Sequence, residues 1–434
     1  MIVPILIILL FLVVSILMIT RKMPTLLALP LLAIGVAVIA GVPLVNPIKD
    51  GDNGILKFVI EAGSIRLASA YIAVIFGSWL GQIMNKTNIA ETIVKYAAEL
   101  GGDRPFLITI LLTTAVAVLF TTIGGLGAVI MIGSIVIPIM VSVGVSSMIA
   151  VCMFLFGMGI GLLFNISNWS FYLNVIKVPL ESIKLFAIIL AVLTALTGLI
   201  FAIVEFKKNG IKFACSAPAS NNKSGDSKLE NKKAPIISLL TPIIPIILVM
   251  FFKWPIVPAF LVGILYALIT TQRKFNKAIN LLTKTGFDGV ADAAPAVILM
   301  IGIGMLLNSL MHPIVADKMK PFITAVVPTS PIGYILFFSL LAPLALYRGP
   351  LNLFGLGSGI AGLIVSFNIL PAAAVMSAFL AVERVQAIAD PTNTHNVWLS
   401  NYAGVDVNQV LAKLLPYVWI LAAAGVIVGR FLWI

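Results

Sequence analysis

The chain has 434 residues, of which 61% are hydrophobic and 10% charged, with a formal net charge of +12. A soluble domain of this length carries roughly 25% charged residues, so the composition excludes an ordinary water-soluble protein and names lipid as the solvent. The basic excess, which would suggest nucleic acid in a soluble protein, lies mainly in connections between apolar runs, where Lys and Arg set orientation, so no nucleic-acid partner is expected.

The first apolar run, 2–20, has no charge and ends at Arg21-Lys22. It lacks a basic leader and a small-residue cleavage site, so it reads as a retained span with its start outside. Spans need about 20 apolar residues, and the chain holds about ten such runs. Stretches 85–104 and 272–292 carry charges at helical spacing and read as solvated or interfacial helices. His312, after the third span of the second half, reads as interfacial.

Residues 105–176 contain no Asp, Glu, Lys or Arg. Inside them, "FTTIGGLGAVIMIG" (120–133) is a glycine-rich break holding Thr121, Thr122, Gly124 and Gly125. Unwound backbone is tolerated in a bilayer only where protein or a water-filled cavity satisfies it, and N–H groups exposed at such a break suit a carboxylate. Close packing through small residues is the alternative. A second break, "FNISNWSFYLN" (164–174), holds Asn165, Ser167 and Asn168, whose oxygens can ligate Na⁺ or bind a hydroxyacid; an external turn is its alternative.

The hydrophilic stretch 206–234 reads as a cytoplasmic linker between two transmembrane units, 1–205 and 235–434. Adding 227 to a first-half position gives a gapless register, with Gly77 on Gly304 and Asn174 on Asn401. Lys86, Lys95 and Arg104 in one half, and Arg273, Lys274, Lys277 and Lys284 in the other, all fall inside only if the halves are inverted. The expected fold is therefore all-α: a polytopic membrane protein of two inverted repeats, with about ten full spans plus two glycine-broken hairpins.

The second-half counterparts of the breaks are "YRGPLNLFGLGSGI" (347–360), with Arg348, Gly349 and Asn352, and "PTNTHNVWLSN" (391–401), with Thr392, Asn393 and Thr394. The Arg348 fork suits bidentate carboxylate binding. Glu383, Gln386 and Asp390 share one helical stripe, and Pro391 ends that helix. Ionisable groups at membrane depth usually mark function, so Glu383 and Asp390 are candidates for ion coupling, with charge neutralisation of a neighbouring arginine as the alternative. His395 is a third candidate, with hydrogen bonding as its alternative. No metal-ligand spacing or nucleophile elbow is present, so neither an enzyme nor a resident cofactor is expected.

The segments "RKMPTLLALPLLAIGVAVIAGVPL" (21–44), "IFGSWLGQIM" (75–84), "YRGPLNLFGLGSG" (347–359) and "ADPTNTHNVWLSNYAGV" (389–405) resemble the ion transporter superfamily, in particular its gluconate permease and citrate transporter-like branches. The resemblance carries over Asp390, Pro391, Trp398 and Leu399 from an Asp-Pro…Trp-Leu segment, and Arg348 before a glycine-rich break. It implies two inverted repeats binding a carboxylate with co-transported H⁺ or Na⁺, in the inner membrane and as a homodimer. Gluconate permeases have a glutamate entering the first hairpin, where this chain has Thr121-Thr122; its Asn-Ser and Thr-Asn-Thr clusters look more like Na⁺-coupled dicarboxylate carriers. The expectation is cation-coupled symport of a small organic anion. The alternatives are a Na⁺/H⁺ antiporter and the membrane subunit of a binding-protein-dependent carrier.

Overall fold

A computed structural model describes residues 2–20, 22–48, 51–102, 104–210 and 233–434. The first half opens with α1 (Ile2–Ile19) and α2 (Thr25–Ala40), then the two-residue antiparallel strands β1 (Pro47–Ile48) and β2 (Gly51–Asp52). A π-helical segment, Ile55–Ala62, passes through α3 (Gly63–Ile65) into α4 (Ala68–Lys86). There follow α5 (Ile89–Gly101), α6 (Pro105–Phe120), α7 (Gly125–Ser142), α8 (Ser147–Leu163), α9 (Ile166–Phe171) with a π-helical continuation Tyr172–Ile176, and α10 (Leu180–Asn209).

The second half begins with a 3₁₀ segment, Ile236–Leu240, then α11 (Ile244–Met250), α12 (Ile256–Thr271) and α13 (Phe275–Met311). Next come α14 (Pro313–Val326), α15 (Pro331–Leu340), a 3₁₀ segment Ala342–Arg348, α16 (Gly357–Ser366), α17 (Ala372–Ala389), α18 (Thr394–Ala403) and α19 (Val407–Trp433). Shifted by 227, α10 at 180–209 lands on 407–436, where α19 stands, and α8 at 147–163 lands on 374–390, where α17 stands.

Two helix pairs that the shift matches pack antiparallel. Along α3 and α4, Gly63 packs on Gly304 and Met305 while Trp79 packs on Gly289, so α13 runs the opposite way. Along α10, Phe186 meets Trp433 and Phe201 meets Tyr417 of α19, again with opposite sense. Helix contacts are exchanged accordingly: α2 packs on α13, and α12 packs on α4. Small residues set these approaches, since the backbones of Gly63 and Gly304 leave no room for a Cβ.

Among the described residues, six helical segments are long and apolar enough to cross a membrane, or eight if each of two bent pairs counts as one span. About ten full spans were expected. The difference arises because α2, α6 and α12 have 16 residues each, short of a full crossing. Burial singles out one region. The α17–α18 window is 89% buried within the protein, against 28–44% for the other long helices. Lipid would penalise the charges that α17 carries, and surrounding it with protein removes that cost.

Three sequence expectations change. Stretch 272–292 is not a separate interfacial helix, because residues 275–292 are the first part of the 37-residue α13, which packs on α2 and α4. His312 is buried rather than interfacial: its Nδ1 accepts from Ile314 N–H at 3.2 Å to cap α14, and Nε2 lies 2.9 Å from the Asn53 carbonyl. The expected linker 206–234 lies outside the described residues over 211–232. Residues 206–209 end α10, and Lys233 pairs with Glu99 at 2.6 Å.

Candidate substrate and ion site

Each half couples a hairpin tip to a broken helix. In the first half α6 ends at Phe120 and α7 starts at Gly125, while the α8–α9 unit bends by 48° at its break. Asn165 at that break ties the two together. Its Nδ2 donates to the Phe120 and Ile123 carbonyls, each at 3.3 Å, and its Oδ1 accepts from Ser167 N–H at 3.1 Å. These are carbonyls that the end of α6 leaves unpaired, and in lipid they need a partner.

In the second half the tie is a carboxylate. Asp390, fully buried at the end of α17, accepts from Tyr347 N–H at 3.0 Å and from Thr392 N–H and Oγ1 at 2.9 and 2.7 Å. Tyr347 and Arg348 both have left-handed backbones, with φ of +56° and +59°. Two consecutive non-glycine residues there cost about 1–3 kcal/mol each, so the tip persists because its surroundings impose it. Asn352 contributes, donating to the Ala345 carbonyl at 3.0 Å and accepting from Phe354 N–H at 2.9 Å.

The tips then cross to the opposite half. Gly133 of α7 sits where a Cβ would come within 2.9 Å of both Trp398 and Leu399 of α18. Phe171, in the first broken helix, faces Phe354 beside the second tip at 6.0 Å between ring centroids. The hairpin helix and the broken helix of the first half thus each touch a broken segment of the second.

Several expected residues are brought there in forms the sequence does not show. Thr121 and Thr122 turn their hydroxyls back to the Val118 and Leu119 carbonyls, at 2.6 and 3.3 Å, and cap their own helix. Gly124 is extended and Gly125 left-handed at φ +81°, and a methyl group at Gly124 would meet no atom within 4 Å, so this tip faces open space. Ser167 donates to the Ala73 carbonyl at 3.1 Å and Asn168 to that of Leu162 at 3.3 Å. Gly349, buried, ends the 3₁₀ segment. Asn393 exchanges two hydrogen bonds with Gln386, at 2.7 and 2.8 Å, and Thr394 is exposed.

Arg348 is half-buried and spends one N–H on the Phe354 carbonyl at 3.2 Å. Among the described residues it makes no ion pair, although its charge acts on both Asp390 and His395. Most of its fork is thus available to an anion. Glu383 is committed elsewhere: Oε2 accepts from Tyr172 O–H at 2.7 Å and Oε1 lies 3.5 Å from Arg384 Nη2. Arg384 is itself buried and donates to the Gly159 carbonyl at 2.6 Å. His395 Nε2 lies 3.5 Å from the Ala387 carbonyl, at the edge of hydrogen bonding.

Residues absent from the sequence reading also belong here. Asn396 donates to the Ile388 and Asp390 carbonyls at 3.2 and 3.0 Å, which closes the open end of α17. Its Oδ1 and the Ser400 Oγ one turn later are buried without a hydrogen-bond partner. Two free oxygens one helical turn apart beside a helix break can accept a cation or a proton carrier. Their signal was present as Asn and Ser at i and i+4 after Pro391.

No family model matches this chain, and no curated protein matches it by sequence. Its fold is that of solved membrane transporters. One is the Alcanivorax borkumensis YdaH transporter, described as having an unusual topology, with a TM-score of 0.58 and 12% identity over 96% of this chain and 97% of that one. Another is Neisseria gonorrhoeae MtrF, described as illuminating a class of antimetabolite efflux pumps, with a TM-score of 0.59 and 12% identity over 96% of this chain and 95% of that one. Both neighbours are transporters rather than enzymes.

Proposed function

We propose that this chain is a secondary active transporter of a small organic anion, driven by H⁺ or Na⁺. The observation that carries the reading is Arg348, held at a strained tip beside the end of α17 with most of its guanidinium unspent. A carboxylate docks on that fork, and the open Gly124–Gly125 tip at the start of α7 offers a second anion seat. The motifs at 347–359 and 389–405 support the citrate transporter-like branch over the gluconate permeases, whose first-hairpin glutamate is Thr121-Thr122 here. Asn396 Oδ1, Ser400 Oγ and the end of α17 take the coupling cation or its proton equivalent. Asp390 serves this site as the residue that holds the tip, and Glu383 balances Arg384.

The reading places the protein in the inner membrane, with residues 206–234 cytoplasmic and the start of the chain outside; a homodimer fits its inverted-repeat scaffold. The likeness to an efflux pump favours a second reading in one respect, namely export in place of uptake. The test is uptake and counterflow in proteoliposomes with labelled citrate, C4-dicarboxylates, gluconate and lactate under separate H⁺ and Na⁺ gradients. Accumulation of one anion under one gradient supports symport. Accumulation of none, with a Na⁺ gradient moving internal pH, overturns it in favour of an antiporter.

A further inference from the structure

Asp292 lies on α13, immediately before the apolar part of that helix, and its half-buried carboxylate faces α4 and α7. Gln82 Nε2 of α4 donates to its Oδ2. Its carboxylate rests on Gly127, in the first turn of α7, where an added Cβ would lie 3.0 Å from Oδ1 and 3.1 Å from Oδ2. The Asp292 carbonyl also lies 3.8 Å from a Cβ position at Gly125. One carboxylate of the second half thus joins the α4–α13 pair to the hairpin helix of the first half. The glycine at 127 is what makes the room, since any side chain there would push the carboxylate away.

The position matters because α7 has no ionisable residue and no side chain capping its start. Its first-turn N–H groups carry the positive end of the helix, and an anion beside them is favoured. That is where the proposed function places its second anion seat. We propose that Asp292 is an internal stand-in for the substrate: it occupies the first turn of α7 in the substrate-free protein, ties the hairpin to the α4–α13 pair, and yields the place when an anion arrives. This inference rests on the proposed anion site. It makes Asp292 a positioning residue that sets apparent affinity, because the binding-competent fraction excludes molecules in which Asp292 is seated.

Two measurements test it. First, in protein with Cys152→Ser and Cys215→Ser, Gly127→Cys with Asp292→Cys should form a disulfide on mild oxidation without any substrate, and a failure to form it overturns the inference alone. Second, Asp292→Asn retains the shape and the Gln82 contact but lacks the charge. It should lower the apparent KM of the transported anion several-fold with Vmax within about twofold, since the competing charge is gone. An unchanged or raised KM in Asp292→Asn overturns the inference, because a purely structural contact would not tighten binding when weakened. A wild-type protein that moves no anion, yet forms the disulfide in the double variant, overturns the proposed function and with it the exchange.

Discussion

The Asp390 carboxylate accepts the backbone N–H of Tyr347 at 3.0 Å, so the end of one broken helix holds the hairpin tip that presents Arg348. The corresponding tie in the other half is an amide, Asn165, acting on the Phe120 and Ile123 carbonyls. Both solve the same problem, which is unpaired backbone at membrane depth. They differ in what they bind: a carboxylate holds an N–H, and an amide N–H holds carbonyls.

Asp390→Asn is predicted to disturb the tip before it disturbs any coupling. Asn has one acceptor oxygen for the work of two, so either the Tyr347 N–H or the Thr392 pair loses its partner. Leaving such a buried donor unsatisfied costs about 1–3 kcal/mol. Thermal unfolding of the detergent-solubilised variant should show the loss, together with at least tenfold weaker anion uptake. Wild-type stability with wild-type uptake would remove Asp390 from this role.

Arg348→Lys should raise the apparent KM for the transported anion by about tenfold or more, since an ammonium replaces a planar fork and each 1.4 kcal/mol is tenfold in affinity. Folding should be little affected, because only one hydrogen bond, to the Phe354 carbonyl, is at stake. Equilibrium binding measured beside uptake distinguishes lost affinity from lost turnover. An unchanged KM would place the anion elsewhere.

Asn396→Ala and Ser400→Ala probe the coupling ion. If their free oxygens hold it, each should raise the cation concentration for half-maximal uptake, while the anion KM at saturating cation stays near wild type. Cation titration of uptake reads this directly. Equal cation dependence in both variants and wild type would assign the two oxygens to packing alone.

Glu383→Gln separates the transporter reading from an antiporter. Glu383 is bound by Tyr172 and faces Arg384, so its loss leaves a buried guanidinium without its counter-charge. Breaking a buried pair from one side costs about 3–5 kcal/mol. The expected result is a clear drop in thermal stability, with the ratio of ions to anions moved unchanged in the protein that still folds. A changed ratio at wild-type stability would restore Glu383 to ion coupling.

Much of the fold was legible because lipid leaves a chain few choices. Long uncharged runs must be helices, glycine and proline clusters must break them, and lysine and arginine placement sets which way they cross. The 227-residue register placed the four breaks, and Arg348 and Asp390 stood out as charges beside apolar runs. Asp292 escaped the same test because it follows Lys284 and Asp288 on what read as a solvated face. Its hydrogen bond from Gln82 and its contact with Gly127, some 165 positions earlier, show that it faces protein.

What the sequence determined by itself is therefore the solvent, the helical class and the positions of the breaks. These follow from local hydropathy and backbone chemistry, which each segment carries alone. Tertiary structure decided which polar groups are spent and which are free: Thr121 and Thr122 cap their own helix, Glu383 answers Tyr172 and Arg384, and Arg348 keeps most of its fork. A donor or acceptor is free only relative to its neighbours in space, and for Glu383 those neighbours include Tyr172 from the other half of the chain.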